Sequence, residues 1–273
     1  MLTVQKAAPS APLQAYVMEY ILIDVSMLPN GNGSTWTRLL PAPVEQTLIY
    51  YLSGEVKTTY HDGQTIEVPP GNLVGQPVHR ILLTNSASLT MFMVRFRPSG
   101  FFRLFGVPMP LFTDSHEDVT LVLDSPVRSL HEQLVNAPTF GEMVLRTEQF
   151  LSRPAVSPRH STRPVDWAIG RMFDPDAGEE RLDKLADYAC LSSRQFERSF
   201  VERVGVPPKL YARLIRFNRA LRYRQAHPEE SWLQVAYATG YFDHAHLIRD
   251  FKHFADVSPT DSQMQQHLAL LNT

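Results

Sequence analysis

The sequence predicts an α+β protein with a mainly β N-terminal domain and an all-α C-terminal domain. Short apolar runs separated by turn signals fill the first half, whereas apolar residues recur at helical intervals throughout the second half. Between them, the segment SRPAVSPRHSTRP has the Pro, Ser and Thr composition of a linker. At roughly 150 residues per domain, 273 residues also fit two domains. We predict domains at residues 1–151 and 165–273, joined by a linker at residues 152–164.

Several short β-strands are predicted in the N-terminal domain. Residues 47–52 form an apolar and aromatic run, and residues 57–60 lead into Asp62-Gly63, a dipeptide that favours a hairpin turn. Residues 89–97 alternate between two faces, as a strand does. Strands at this spacing are typical of a barrel or a sandwich. Residues 125–151 then change to helical spacing, with a break at Asn136-Ala-Pro138.

An internal repeat with an offset of 51 residues organises the C-terminal domain. The segment FERSFVERVGVPP begins at Phe196, and the segment LIRDFKHFADVSP begins at Leu247. The coinciding pairs are Phe200 with Phe251, Arg198 with Arg249, Val206 with Val257, and Pro208 with Pro259. Two copies are too few for a solenoid, so they indicate two similar helical units.

Each copy has the spacing of a helix-turn-helix unit. In the first, helices are predicted at residues 182–189 and 193–204; in the second, they are predicted at residues 231–239 and 243–254. Ser192 and Asp243 stand where the second helix of each unit needs an N-cap. A helix at residues 210–225 joins the units.

The second helix of each unit carries side chains suited to reading base edges in a major groove. With the aromatic residues turned inward, an Arg that suits guanine, a Gln that suits adenine and a Glu that suits cytosine face outward. The candidate base readers are Arg194, Gln195, Glu197, Arg198, His244, Ala245 and Arg249. The candidate phosphate contacts are Ser192, Lys209 and Arg213.

The positive charge of the chain is concentrated in one segment. The chain holds 26 Lys and Arg against 28 Asp and Glu, a balance that by itself disfavours a nucleic-acid partner. Residues 190–224, however, contain nine basic and two acidic residues, a net charge of +7, although residues 161–273 hold 15 of each sign. We therefore expect modest non-specific affinity for DNA, with binding that depends on base readout.

Residues 165–262 resemble the AraC/XylS-type DNA-binding domain. The segment VAYATGYFDHAHLIRDFK, residues 235–252, follows that family's pattern of Ala and Gly, then an aromatic and an acidic residue, and later Leu, Arg, Phe and Lys. The resemblance implies a transcription regulator that binds double-stranded DNA through the base readers named above, with RNA polymerase as a further partner. Because the chain shows neither a signal-peptide pattern nor a membrane span, we expect it to be cytoplasmic. The chain departs from the family with Cys190 at the turn, Asp256 in place of a glycine and Ser262 in place of an aromatic residue.

The segments VRFRPSGFF and FGVP, which begin at Val94 and Phe105, are similar to an N-terminal domain of a subgroup of these regulators, which resembles a cupin-like barrel. This likeness implies that the domain senses a small-molecule effector or forms a homodimer, with the helices of residues 125–151 as the dimer seam. Two alternatives stay open: a domain that only dimerises, and an enzyme in the barrel with an accessory helical domain. Tyr50, Tyr51, Phe92 and Phe96 are either effector-pocket residues or, more often for such a pattern, core.

We expect no catalytic residues, cofactor or metal. A single cysteine, Cys190, excludes an internal disulfide and a Cys-based zinc site, and we expect it to be a small buried turn residue. His61, His79 and His116 lack a metal-ligand spacing, and His244 and His246 do not share a helix face. The chain has no signal-peptide pattern and no long apolar run, so we expect no membrane partner.

Overall fold

The N-terminal half of the computed structural model folds into two antiparallel sheets that face each other. The structure describes residues 2–26, 35–123, 126–153, 162–174 and 180–270. One sheet has the strand order β1-β2-β9-β4-β7-β10, and the other has the order β3-β8-β5-β6. The strands are β1 Leu2–Ala7, β2 Val17–Ser26, β3 Thr35–Leu40, β4 Thr47–Ser53, β5 Val56–Tyr60, β6 Thr65–Glu67, β7 Gly71–Val74, β8 Ile81–Ser86, β9 Ser88–Phe96 and β10 His116–Asp118.

The α-helices of the described chain lie mostly in the second half, which confirms the predicted α+β class. They are α1 Gly100–Phe105, α2 Val119–Val122, α3 Pro126–Val135, α4 Phe140–Leu151, α5 Pro164–Phe173, α6 Leu182–Tyr188, α7 Ser193–Val204, α8 Pro208–Ala226, α9 Trp232–Ala238, α10 His244–Phe254 and α11 Ser262–Leu270. None of the helices in the described ranges has both the length and the apolar character that a membrane span requires. The predicted linker lies largely outside the described residues, which include 152–153 and 162–164 of it.

Strand β9 is central to the larger sheet and pairs with β2 and β4. Its side chains alternate as predicted. Phe92, Val94 and Phe96 are fully buried in a core that they share with α1, α3 and α4, whereas Met91 faces the second sheet. The predicted hairpin at Asp62-Gly63 joins β5 to β6, and Gly63 adopts the positive φ of +88° that such a turn requires.

The helical half shares its hydrophobic core with the edge of the β domain. Leu39, Ala42, Val44 and Val78 from the β domain pack in the same cluster as the buried residues of α5 to α11. Backbone and side-chain donors of the β domain also reach the last carbonyls of α7 and α10, and the Gly205 carbonyl just after α7, which have no partner within their own helices. Ala42 N donates to Phe254 O at 3.0 Å, Gln46 Nε2 to Val204 O at 3.2 Å, and Thr113 Oγ1 to Gly205 O at 3.0 Å.

A buried ion pair joins α5, α7 and the β domain. Arg203 Nε donates to Asp166 Oδ1 at 3.2 Å, and both side chains are 2% exposed. The other carboxylate oxygen of Asp166 accepts the backbone N–H of Arg163 at 2.8 Å, which caps α5. The Arg203 guanidinium lies over the Phe102 ring, 4.8 Å from its centroid, and also donates to Ser199 O at 3.1 Å. Arg203 is therefore an inward-facing member of the basic segment.

We predict that Arg203→Met lowers the free energy of unfolding by about 3–5 kcal/mol, because it leaves the buried Asp166 without its charged partner. Asp166→Leu should lower it by less, because Arg203 Nη1 keeps the half-exposed Glu202 Oε2 at 3.2 Å. The double variant, which leaves no buried charge, should be more stable than either single variant. Urea unfolding of the parent protein, the two single variants and the double variant measures these differences in unfolding free energy.

The exposed pair Arg181 and Asp183 provides the control for this cycle. Arg181→Gln should leave the unfolding midpoint nearly unchanged, because solvent screens an exposed pair. A double variant less stable than both single variants would contradict our account of the buried pair.

Candidate nucleic-acid interface

Two helix-turn-helix units form at the predicted positions, α6 with α7 and α9 with α10. The turn of the first passes through Cys190 with φ +54°, and the turn of the second passes through Gly240 with φ +84°. Ser192 and Asp243 cap α7 and α10 as predicted, because their side chains accept the backbone N–H of the third residue of each helix. The two second helices, α7 and α10, are called the recognition helices below.

The predicted base readers lie on the solvent-facing sides of the recognition helices. On α7 the outward side lies opposite Phe196 and Phe200, and on α10 it lies opposite Leu247 and Phe251, all four of which are buried. The exposed readers are Arg194, Gln195, Glu197, Arg198, His244, Ala245 and Arg249. Within the described chain, Glu197 forms no ion pair with Arg194 or Arg198, so these groups stay available to a ligand.

Gln195 has a structural role as well as an exposed position. Its Oε1 accepts the Ser192 N–H at 3.1 Å and the Ser192 hydroxyl at 2.9 Å, which completes a capping box at the start of α7. The side-chain amide of Gln195 still has its N–H groups available to a ligand. The Ser192 hydroxyl, in contrast, already donates to Gln195 Oε1 within the capping box. A phosphate contact through the Ser192 side chain would therefore require the box to open.

A buried acid anchors the second unit to α8. Asp250 is 1% exposed and accepts Arg213 Nη2 at 2.8 Å and the Tyr241 hydroxyl at 3.2 Å. Burial and, next, the Asp250 charge raise the pKa of Tyr241 well above its usual value, so that Tyr241 stays a hydrogen-bond donor. Our sequence analysis gave Asp250 no role. Its position three residues after buried Leu247 was the available signal, because that spacing puts a carboxylate on the inward face.

The candidate phosphate contacts differ in availability. Lys209 is exposed, whereas Arg213 is partly buried and paired with Asp250. Both line a cleft of about 500 Å³ between the two units, together with Arg181, Arg216 and His246. Lys209, Arg213 and Arg216 of the basic segment therefore face this cleft, which Glu180 also lines.

The three departures from the family pattern have different outcomes. Cys190 is exposed, so the expectation of a buried turn residue was wrong: the side chain of a left-handed residue in this turn points to solvent. Asp256 has φ +55°, matching the left-handed Gly205 of the first copy, and pairs with Arg80 of the β domain at 2.9 Å. Ser262 begins α11, which packs against β3 and α8 with Met264 buried.

A cavity of about 350 Å³ lies between the two sheets of the β domain. Tyr51 lines it, whereas Tyr50, Phe92 and Phe96 belong to the core on the other side of the larger sheet. His116 Nδ1 lies 3.0 Å from the Tyr60 hydroxyl, and burial lowers its pKa to about 4.

The histidines of the β domain do not assemble a metal centre. In the described residues, His61, His79 and His116 do not converge as a group of metal ligands. His79 Nδ1 instead pairs with Asp114 Oδ2 at 2.7 Å, and its ring stacks on that of His61 with a centroid separation of 4.0 Å.

Comparisons with known proteins match both parts of the chain. Residues 185–265 match a family described as a helix-turn-helix domain, and residues 5–118 match a domain of unknown function, DUF6597. The HTH-type transcriptional activators RhaS of Escherichia coli strains UTI89 and HS are 32% identical over 102 residues, which cover 37% of this chain and 36% of theirs. The C-terminal domain is an AraC-type helix-turn-helix domain.

Two solved structures are also similar. ToxT of Vibrio cholerae is 12% identical to this chain, and the match covers 98% of this chain and 98% of the ToxT chain with a TM-score of 0.49. A transcriptional regulator of Chromobacterium violaceum with an AraC-type DNA-binding domain is 25% identical over 38% of this chain and 90% of its own, with a TM-score of 0.33. In the AraC-type domain of the present chain, the matched residues begin at Leu185 in α6 and end in α11, so they include both units.

We predict that Cys190→Gly stabilises the AraC-type domain by about 0.5–1 kcal/mol. A left-handed backbone costs a residue with a Cβ about 1–2 kcal/mol, and the greater freedom of glycine in the unfolded chain offsets part of the gain. Thermal unfolding measures the effect. Cys190→Ala, which keeps the Cβ, is the matched control and should bring no gain; equal stabilisation by Ala and Gly would rule out relief of turn strain.

We also predict that His267 makes stability depend on pH. Burial first, and Arg38 second, lowers the pKa of His267 to about 4, whereas a histidine in the unfolded chain titrates near 6.5. Between these values the unfolded state binds a proton that the folded state does not, so stability is lost as pH falls from 6.5 to 4. His267→Asn should therefore reduce the loss of unfolding free energy between pH 7 and pH 4.5 by about 2 kcal/mol.

Urea unfolding at the two pH values measures this difference. His227→Asn, which changes a histidine on the surface of the helical half, is the control and should lose as much stability as the parent protein. A His267→Asn variant with the same pH dependence as the parent would contradict the prediction.

Proposed function

We propose that this chain is a sequence-specific DNA-binding transcription regulator that reads duplex DNA through both recognition helices. The observation that carries the proposal is the exposure of seven candidate readers on two capped helices, with the three arginines among them free of acidic partners in the described chain. Arginine in a recognition helix can bind guanine with two hydrogen bonds. Because RhaS shares only about a third of its length with this chain, the activity of the whole protein remains our proposal.

The length of the connecting helix supports simultaneous binding by both units. Helix α8 has 19 residues and spans about 28 Å at 1.5 Å per residue. Successive major grooves on one face of a duplex are about 34 Å apart, so a rigid connector of this length suits two neighbouring grooves. The basic cleft would then face the phosphates between them, with Lys209 as its exposed contact.

The proposal assigns different roles to the predicted domains. Residues 165–273 bind double-stranded DNA, and residues 1–151 sense a small-molecule effector, in the cytoplasm. Val135 and Leu145, about half exposed on α3 and α4, are candidates for a homodimer contact. Contact with RNA polymerase is suggested by the activator role of the matched relatives. The same relatives favour a regulator over the alternative of an enzyme in the β domain.

We predict that Arg198→Ala and Arg249→Ala each weaken binding to a selected duplex by about 1–3 kcal/mol, or roughly 5- to 150-fold in Kd. Each variant should also lose discrimination at one base pair, in different half-sites. Duplex selection from a random pool, followed by fluorescence anisotropy with single-base variants, measures both effects. Lys57→Gln, on the sheet of the β domain, is the control and should bind as the parent does.

Lys209→Gln should behave differently from the arginine variants. Loss of one phosphate contact weakens binding to all sequences alike and reduces the slope of log affinity against log salt by about 0.9.

Unchanged sequence specificity in both arginine variants would show that Arg198 and Arg249 do not read bases. If no sequence is enriched at low salt, the proposed function is wrong.

A further inference from the structure

The cavity between the two sheets has the size and wall chemistry of a small-molecule site. Its volume of about 350 Å³ lies in the range of roughly 300–1,000 Å³ that ligand pockets occupy. Most of its surface is apolar, with Ile23 and Met91 from the larger sheet facing Leu40 and Leu83 from the smaller one. An occupant would therefore need an apolar body.

Most charged groups on the cavity wall are already neutralised by a partner. Arg95 forms ion pairs with Glu19 and with Glu45. Arg80 pairs with Asp256. His79, as noted above, is paired with Asp114. These groups need no charge from a ligand.

Arg38 is the exception among the cavity-lining arginines that the structure describes. Its guanidinium forms no ion pair with a described residue, and its Nε is buried without a hydrogen-bond partner in the described chain. The guanidinium carbon lies 5.4 Å from the centroid of the Trp36 ring. Burial lowers the pKa of Arg38, which is the physical sign of a charge removed from water without compensation. A partly buried cation of this kind is stabilised by an anion, and a carboxylate fits the two-pronged geometry of a guanidinium.

The wall next to Arg38 belongs to the AraC-type domain. His267 of α11 lines the same cavity, and the Arg38 charge contributes to lowering its pKa, so the two side chains are neighbours. Helix α11 packs on β3, the strand of Arg38, and on α8, the connector between the two units. A molecule held by Arg38 therefore contacts both domains.

We propose that this cavity binds a small monocarboxylate with an apolar body, whose carboxylate pairs with Arg38 while its body lies between the two sheets beside α11. The inference deepens the proposed function, on which it rests, by naming the chemical class of the effector. Because the ligand contacts α11, its binding and DNA binding are coupled, and each ligand changes the affinity for the other by the same factor.

The test uses octanoate and octan-1-ol, which share an apolar chain and differ in charge, in calorimetric titrations of the full chain. Octanoate should bind about tenfold or more tightly than octan-1-ol, because a charge-assisted hydrogen bond distinguishes them. Arg38→Gln should remove that advantage and leave octan-1-ol binding unchanged, which also shows that the cavity is still formed. Arg80→Gln removes an equal charge from the wall, but one with its own partner, and should keep octanoate affinity within about threefold.

A cavity-filling variant checks the location. Met93→Trp places a larger side chain in the cavity and should abolish binding of both compounds. Octanoate binding that survives Arg38→Gln, or that falls equally in Arg80→Gln, would overturn the assignment to Arg38. Binding that survives Met93→Trp would overturn the cavity as the site.

Duplex binding, measured by anisotropy with and without octanoate, separates this inference from the proposed function. A change in duplex affinity of about fivefold or more supports the coupling. A protein that binds a selected duplex but no octanoate overturns the ligand inference alone. A protein that binds octanoate through Arg38 but selects no duplex overturns the proposed function and leaves the cavity assignment standing.

Discussion

The buried ion pair between Arg203 and Asp166 is the constraint on which the arrangement of the helical half depends. Two charges removed from water need close partners, so the positions of Arg203 and Asp166 are tightly fixed, and Arg203 also contacts the half-exposed Glu202 at 3.2 Å. Asp166 holds the start of α5, Arg203 belongs to the last turn of α7, and Phe102 of the β domain covers the guanidinium. The first recognition helix is thus positioned against both its own bundle and the β domain by one charged group.

The β domain holds the recognition helices by their C-terminal ends and leaves their N-terminal ends exposed. Donors from Ala42, Gln46 and Thr113 reach the carbonyls at or just after the ends of α7 and α10. The candidate base readers lie in the first two turns of the same helices, away from these contacts. This division of each helix allows the β domain to orient both helices without covering the surface that would meet DNA.

The sequence predicted local structure well and the contact between domains poorly. The repeat located both turns and both caps, because these depend on residues close together in the chain. The linker composition indicated a domain boundary but nothing about contact across it, whereas Leu39, Ala42 and Val44 share a core with the helices; such a contact joins surfaces that no local pattern relates. Counting charge placed Arg203 on a basic surface, although its spacing of three residues from buried Phe200 indicated the inward face.

The same reasoning explains why Arg38 escaped notice as a site residue. Alternation along β3 turns Thr35 and Thr37 outward and Arg38 toward the larger sheet, but a strand pattern cannot tell whether an inward arginine has a partner. The answer depends on Glu19, Glu45, Asp114 and Asp256, which come from four separate segments and neutralise the other basic groups of the wall. An arginine without an ionic partner can be recognised only when the positions of all nearby acidic side chains are known. Because α11 closes the same wall, that charge also lies where the β domain meets the connector between the two recognition helices.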